Sequence, residues 1–220
     1  MSITLHGSPI SNYYNKVKLA LLEKGVAFAE ARAGTPGGKT ADAGVLDASP
    51  LGKIPYLTTE QGPICESQPI LDYVEARWPE PRLLPADPFA AAKVRELTTF
   101  TDWHLEIVAR RLYGSAFFNA PALPDVERDE IRKQLSQNIA AFKRLAKFSP
   151  YVAGDAFTQA DCSAFASLPV VGMASKAIYG EDLLLAGGVG YKDYIKRIAE
   201  RPSAQKVVAD RKTAQAAMSK

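Results

Sequence analysis

Cysteine and histidine are scarce in this chain. Its 220 residues include two of each, Cys65 and Cys162, and His6 and His104. The cysteines lie far apart without the short spacing of a metal-binding pair, which argues against both a disulfide framework and a cysteine metal site. Two histidines leave few ligands for zinc. We therefore expect no bound metal.

Long hydrophobic runs and concentrated charge are also missing. No stretch of about 18 apolar residues occurs, which argues against a membrane-spanning helix, and the N-terminus lacks the basic and apolar regions of a signal peptide. The formal charge of +3 comes from dispersed basic residues, so composition indicates neither a nucleic-acid nor a membrane partner. We expect a cytoplasmic protein.

The remaining composition is typical of a globular protein. Hydrophobic residues make up 47% of the chain and charged residues 23%. A chain of this length and apolar content has enough material for a sizeable core, in one large domain or two modest ones.

The pattern of residues 1–78 predicts a thioredoxin-like domain. Ile3–His6 alternates as a strand, Lys16–Lys24 carries apolar residues on one helical face, and Val26–Ala33 follows as a second strand. A helical crossover between two neighbouring strands makes them parallel. Two short strands at 54–59 and 62–65 and a helix at 67–77 complete the order β-α-β-(α)-β-β-α.

Residues 79–88 are rich in proline and predict a linker to an all-α domain over residues 89–220. Helical periodicity covers 89–118, 125–147 and 158–176, with shorter helices near 191–201 and 203–211. Thr158 and Asp161 form a capping-box pattern at the start of the third helix. The predicted fold class is therefore a two-domain chain, an α+β domain followed by an all-α domain.

Two short motifs in the first domain predict a site for a small peptide. Pro55 precedes an apolar strand although it lacks the N–H of a central strand residue, and a cis Ile54-Pro55 bond resolves that conflict. The Ile54 backbone would then face outward to pair with an extended peptide. Ser67 is a good N-cap for the following helix, whose amides would hold a carboxylate, and Glu66 beside it would pair with an amine. Together these groups match the γ-glutamyl end and cysteinyl backbone of glutathione.

These motifs resemble the cytosolic glutathione S-transferase family over nearly the whole chain. The segments that carry the resemblance are Ser11–Leu21, Lys53-Ile54-Pro55, Glu66-Ser67 and Gly154–Asp161. The resemblance implies that Ile54 pairs with the cysteinyl part of glutathione, that Glu66 and Ser67 hold its γ-glutamyl end, and that Lys53 and Lys39 reach its glycyl carboxylate. It also implies a homodimer. The class within the family is left open, because Asn12-Tyr13-Tyr14 does not match the plant or zeta-type classes.

Ser11 is the candidate that would stabilise the glutathione thiolate. Serine-type members of the family place their catalytic serine five residues before a basic residue, which here is Lys16. A serine hydroxyl cannot act as the base, so its role would be to donate a hydrogen bond at a helix N-terminus that also favours negative charge. Asn12, Tyr13 and Tyr14 remain alternative donors.

Aromatic residues of the long helical pattern would line a pocket for the second substrate. Trp103, Tyr113 and Phe117 are the candidates, although such residues more often belong to a core or a domain interface. The predicted function is a glutathione transferase that directs the thiolate at a small hydrophobic electrophile or a peroxide, in detoxification. The alternatives are a glutathione-dependent isomerase or dehalogenase on the same site, and a non-enzymatic interaction protein that kept the fold.

Overall fold

A mixed sheet of four strands forms the centre of the N-terminal unit in the computed structural model, which describes residues 3–34 and 43–218. The strands are β1 (Thr4–Gly7), β2 (Ala29–Arg32), β3 (Tyr56–Thr59) and β4 (Gly62–Cys65). Their order is β2-β1-β3-β4, with β1 parallel to β2 and antiparallel to β3, and β3 antiparallel to β4. This topology confirms the predicted thioredoxin-like fold.

Three helices belong to this sheet, namely α1 (Asn12–Glu23), α2 (Ala43–Ala48) and α3 (Ser67–Arg77). The face predicted for α1 is buried, with Val17 and Leu21 both 0% exposed. The helix begins four residues before the predicted Lys16, because the Ser11 side chain caps its first turn. α3 has the predicted bounds, and its Ile70 and Val74 complete the core of the unit.

The described residues from Pro88 to Met218 form helices and their connecting loops, which confirms the all-α prediction. Its elements are α4 (Pro88–Thr99), a π-helical segment (Phe100–Glu106), α5 (Ile107–Arg110), α6 (Tyr113–Phe117), α7 (Asp125–Leu145), α8 (Gln159–Tyr179), α9 (Leu183–Ala186), α10 (Tyr191–Ala199) and α11 (Pro202–Met218). The core spacing predicted on α7 is confirmed, since Ile131, Leu135, Ile139 and Phe142 are all at most 1% exposed.

The single long helix predicted over 89–118 is wrong, because the structure divides it at the π-helical segment. Two hydroxyls bond back to carbonyls four residues earlier, Thr98 to Val94 at 3.0 Å and Thr101 to Leu97 at 3.0 Å. Such bonds bend helices, and π turns widen them. Simple periodicity does not reveal either effect.

The chain divides into two compact units, and the division between Leu83 and Leu84 falls within the predicted linker 79–88. The first unit contains the sheet together with α11, whereas the second contains the other C-terminal helices. The domain bounds 1–78 and 89–220 stay predictions, and the structure adds that the C-terminal helix groups with the sheet. Within the described residues, no helix combines the length and apolarity needed to cross a membrane.

Candidate functional site

The strand register brings three loops to one edge of the sheet. His6 of β1 lies opposite Tyr56 of β3, and Tyr56 lies opposite Cys65 of β4. Because β1 is antiparallel to β3, the end of β1 lies beside the start of β3, and the end of β4 lies beside it too. The residues that follow β1, precede β3 and follow β4 therefore gather across roughly 10 Å, the width of two strand spacings.

Ser11 occupies the first of these loops, between β1 and α1. Its Oγ accepts a hydrogen bond from the Tyr14 amide at 3.3 Å, and its own amide donates to the Ser8 carbonyl at 2.9 Å. No described residue accepts the hydroxyl proton of Ser11. A partly exposed hydroxyl at the positive end of α1 is therefore available to donate to an anion.

The three alternative donors are placed differently. Tyr14 is buried, and its phenol donates to the Glu30 carboxylate. Burial and then this hydrogen bond raise the pKa of Tyr14 well above its usual value, so the group is engaged beneath the site. Asn12, the first residue of α1, is 4% exposed, and Tyr13 is partly exposed. The structure thus disfavours Tyr14 and keeps Asn12 and Tyr13 close to Ser11.

The Ile54-Pro55 peptide bond is cis, as predicted. Pro55 is buried immediately before β3, while Ile54 is partly exposed. Neither the N–H nor the C=O of Ile54 forms a hydrogen bond with another described residue. Lys53 next to it is exposed and has no ion pair with a described residue. This loop can therefore offer backbone hydrogen bonds and a cation to a ligand.

Glu66 and Ser67 form the third part of the site. Ser67 is the first residue of α3 and Glu66 is its N-cap, so the prediction that Ser67 itself is the N-cap is wrong by one position. Glu66 is exposed and adopts a φ of +67°, which L-residues rarely do. Its side chain makes no capping bond, which leaves the start of α3 open to an external acceptor.

Lys16 is a neighbour of this third part that sequence reasoning missed. It is 1% exposed on α1, and its Nζ donates to Ser67 Oγ at 3.2 Å and to Gln68 Oε1 at 3.1 Å. The sequence marked Lys16 only as the start of a motif, since nothing in the pattern indicates a contact with a helix 51 residues away. The contact links α1, which Ser11 caps, to the start of α3.

The other predicted site residues are less closely assembled. Lys39 lies outside the described residues. Trp103 is on the π-helical segment and is 61% exposed, whereas Tyr113 and Phe117 are on α6 with ring centroids 5.3 Å apart. Tyr113 is 9% exposed and Phe117 is 39% exposed. The structure thus brings two of the three aromatic residues together.

A cavity of about 410 Å³ lies next to the loop that carries Ser11. Its walls are Ser8–Ile10 of that loop, Tyr14 and Lys18 of α1, Glu30–Arg32 of β2 and the face of α11 that includes Asp210 and Met218. Sequence reasoning did not predict it, because it depends on how α11 packs.

The described residues include no cluster of three or more histidine, cysteine or acidic side chains suited to a metal.

Comparison with known proteins agrees with the geometry. A family model described as the N-terminal domain of glutathione S-transferase matches residues 5–82. The chain is 39% identical over 209 residues to a glutathione S-transferase of Pseudomonas putida, and the match covers 95% of this chain and 92% of that protein. It is also 29% identical over 203 residues to a stringent starvation protein A homolog of Pasteurella multocida, covering 91% and 87% of the two chains.

Solved structures give the same result for the fold. A glutathione S-transferase of Methylobacterium radiotolerans in complex with glutathione sulfonate superposes with a TM-score of 0.74, at 25% identity, over 94% of this chain and 95% of that one. Glutathione S-transferase III in its apo form superposes with a TM-score of 0.70, also at 25% identity, over 95% and 96%.

Proposed function

The chain belongs to the glutathione S-transferase family, and from that premise we propose that it is a transferase that binds reduced glutathione, stabilises its thiolate and directs it at a hydrophobic electrophile or a peroxide. One observation carries this proposal. The loops with Ser11, cis-Pro55 and Glu66-Ser67 meet at one edge of the sheet.

Each part of glutathione has a matching group at this edge. The backbone of Ile54, which bonds to no other described residue, pairs with the cysteinyl unit as an added strand would. Ser67 and the start of α3 receive the γ-glutamyl carboxylate, and the exposed Glu66 carboxylate pairs with its amine. Lys53 takes the glycyl carboxylate, and the family resemblance adds Lys39 as a second partner of that group.

Ser11 then acts on the sulfur. The thiol loses its proton to solvent, and the Ser11 hydroxyl donates to the thiolate while its Oγ keeps the bond from the Tyr14 amide. Lowering a thiol pKa by two units corresponds to about 2.7 kcal/mol, which one charge-assisted hydrogen bond and a helix N-terminus can supply. The thiolate attacks an electrophilic carbon, the C–S bond forms, and the leaving group departs with the bonding electrons. With a peroxide, two glutathione molecules become one disulfide as the O–O bond is reduced.

Titration calorimetry with reduced glutathione tests the binding step. We expect saturable binding to the wild type and strong weakening in a Glu66→Gln/Ser67→Ala double variant, because both changes remove partners of charged ligand groups. Glu60→Gln, at an exposed position of the β3–β4 turn, is the matched control and should bind as the wild type does. Equal affinity of the double variant and the wild type would reject the assignment of Glu66 and Ser67.

Turnover with a panel of aryl halides, enals and peroxides tests the reaction. We propose that Trp103, Tyr113 and Phe117 contribute to the pocket of this second substrate. Activity on an isomerisable enone or an alkyl halide alone would favour a glutathione-dependent isomerase or dehalogenase instead. Tight glutathione binding with no turnover and no thiolate stabilisation would favour a non-enzymatic interaction protein.

We also propose a cytoplasmic homodimer that takes part in detoxification. The family resemblance supports the dimer. The dispersed charge agrees with a small-molecule partner rather than a nucleic acid or a membrane.

A further inference from the structure

Lys16 is a buried cation directly behind the predicted carboxylate site. Its side chain is 1% exposed, and its Nζ lies 3.2 Å from Ser67 Oγ. A lysine ammonium has three N–H donors and no acceptor, so Ser67 must be the acceptor in this bond. The direction of the hydrogen bond is therefore determined by the chemistry of the two groups.

This direction decides where the Ser67 proton can point. With one lone pair occupied by Lys16, the hydroxyl O–H must turn away from the ammonium. No described residue accepts that proton, although Ser67 is only 8% exposed. A buried hydroxyl donor without an acceptor is costly, so a ligand acceptor at the first turn of α3 would satisfy it.

We propose that Lys16 is a positioning residue for the γ-glutamyl carboxylate, acting through Ser67; this inference rests on the proposed function. The chain of bonds runs from the Lys16 ammonium to Ser67 Oγ, and from the Ser67 hydroxyl to the ligand carboxylate. The ammonium orients the hydroxyl and polarises it, which strengthens the second bond.

The Gln68 side chain holds the ammonium in this arrangement. Its Oε1 accepts from Lys16 Nζ at 3.1 Å, and its Nε2 lies 3.4 Å from Asp72 Oδ1 one turn further along α3. Lys16 is thus held by two adjacent residues of the same helix start. Its position is accordingly set before a ligand binds, so little ordering is needed on binding.

A pair of ligands separates this role from a general effect on the fold. One is glutathione, and the other is γ-aminobutyryl-cysteinylglycine, which lacks only the γ-glutamyl carboxylate. The variants are Lys16→Met and Lys16→Arg. Calorimetry measures the affinity of the wild type and of each variant for each of the two ligands. Lys18→Met is the matched control, because Lys18 is equally buried on α1 but faces Glu30 and Asp210.

We expect Lys16→Met to weaken glutathione binding about tenfold to a hundredfold and to change binding of the analogue less than about threefold. Lys16→Arg should retain most of the glutathione affinity. Lys18→Met should change the affinity for both ligands by the same factor. In a Ser67→Ala background, Lys16→Met should have little further effect on glutathione, since the bond it acts through is already gone.

If Lys16→Met loses affinity equally for both ligands, or loses affinity for neither, the inference is overturned. If Lys16→Met does not fold, Lys16→Gln, which removes the charge in a similar volume, takes its place in the same comparison. The wild type is measured first. A wild type that binds neither ligand contradicts the proposed function, whereas a wild type that prefers glutathione together with unaffected Lys16 variants contradicts this inference alone.

Discussion

At the scale of single residues, the candidate site contains two hydroxyls that each already accept one hydrogen bond. Ser11 Oγ accepts from the Tyr14 amide, and Ser67 Oγ accepts from Lys16. In both cases the protein takes up a lone pair and leaves the O–H to a ligand. This arrangement suits a site for two anions, a thiolate and a carboxylate, because an anion accepts hydrogen bonds and each hydroxyl still has its O–H to donate.

Replacing Ser11 by alanine tests the thiolate role. We expect Ser11→Ala to leave glutathione affinity nearly unchanged, to raise the pKa of the bound thiol, and to reduce turnover at pH 7 by roughly ten- to a thousandfold, since one charge-assisted hydrogen bond is lost. Thiolate absorbance at about 240 nm, titrated against pH in wild type and variant, measures the shift in the thiol pKa.

The matched control for this experiment is Ser8→Ala in the same loop, whose hydroxyl accepts from the Ile10 amide at 3.3 Å. It should titrate as the wild type does. An unshifted titration and full turnover in Ser11→Ala would move the role to Asn12 or Tyr13, which the same titration can examine.

At the scale of elements, α11 is attached to α1 by charged side chains. Lys18 is 1% exposed, and its Nζ lies 2.6 Å from Glu30 and 2.5 Å from Asp210 of α11. A second ion pair joins Arg201 and Glu23 at 2.5 Å. Arg201 comes just before α11, and Glu23 is the last residue of α1. These contacts place the C-terminal helix at the wall of the cavity beside Ser11.

Removing the Lys18 charge should therefore destabilise the N-terminal unit. Lys18→Met leaves the Glu30 carboxylate without a described cation and leaves Asp210 with Lys206 alone. We expect the free energy of unfolding to fall by about 2 kcal/mol, less than the usual cost of breaking a fully buried pair, because both carboxylates are partly exposed. Urea unfolding measures it. Lys196→Met, at an exposed pair on α10, is the control and should cost little. A Lys18→Met variant as stable as the wild type would contradict this role.

Asp210 gives the same contact a dependence on pH. Burial acts to raise its pKa, but hydrogen bonds from Lys18 and Lys206 outweigh burial and hold the pKa of Asp210 below its usual value. A lowered carboxyl pKa stabilises the fold above the unfolded-state value of about 3.9, and this stabilisation is lost as the pH falls through the folded pKa. The stability difference between wild type and Asp210→Asn should thus be full at pH 6 and shrink below about pH 4. A stability difference between the two proteins that stays constant down to pH 3 would contradict this role of Asp210.

The start of α8 is a second element held by one carboxylate. Asp161 is 0% exposed and accepts from the amides of Val152 and Thr158 at 2.9 and 2.8 Å and from the Tyr194 hydroxyl at 2.9 Å. The capping box predicted from Thr158 and Asp161 is confirmed.

Asp161→Ala should destabilise the helical unit by about 3 kcal/mol or more, because several buried donors lose their acceptor at once. Asp155→Ala, an exposed position in the loop before α8, should change the free energy of unfolding by less than about 0.5 kcal/mol. Thermal unfolding of the two variants checks the prediction, and similar melting temperatures for both would show that the capping network matters little.

At the scale of the whole molecule, the homodimer is the main prediction. Sedimentation equilibrium at micromolar concentration should give about twice the chain mass of 23.8 kDa. A stable species of single-chain mass over the same concentration range would contradict it. A dilution series to nanomolar concentration, with glutathione turnover measured in parallel, then reports whether the active species is the dimer.

Much of the fold follows from local patterns. The alternation of β1, the apolar face of α1 and the bounds of α3 were all predicted, because these features depend on spacing along one element. Pro55 before an apolar strand predicted the cis bond, since proline lacks the N–H that the position would otherwise use. The π-helical segment was not predicted, because it depends on how Thr98, Thr101 and Asp102 bond to their surroundings.

The sequence by itself therefore determined the class of fold, the family and the main motifs of the candidate site, because each depends on residues close together along the chain. Only the tertiary structure decided which side chains meet across elements. Lys16 reaches Ser67, Tyr14 is turned to Glu30, and Lys18 attaches α1 to Asp210 of α11. These pairings join residues 16 to 192 positions apart. Their partners are selected by packing and by the cost of leaving buried polar groups unsatisfied, and no local pattern records that cost.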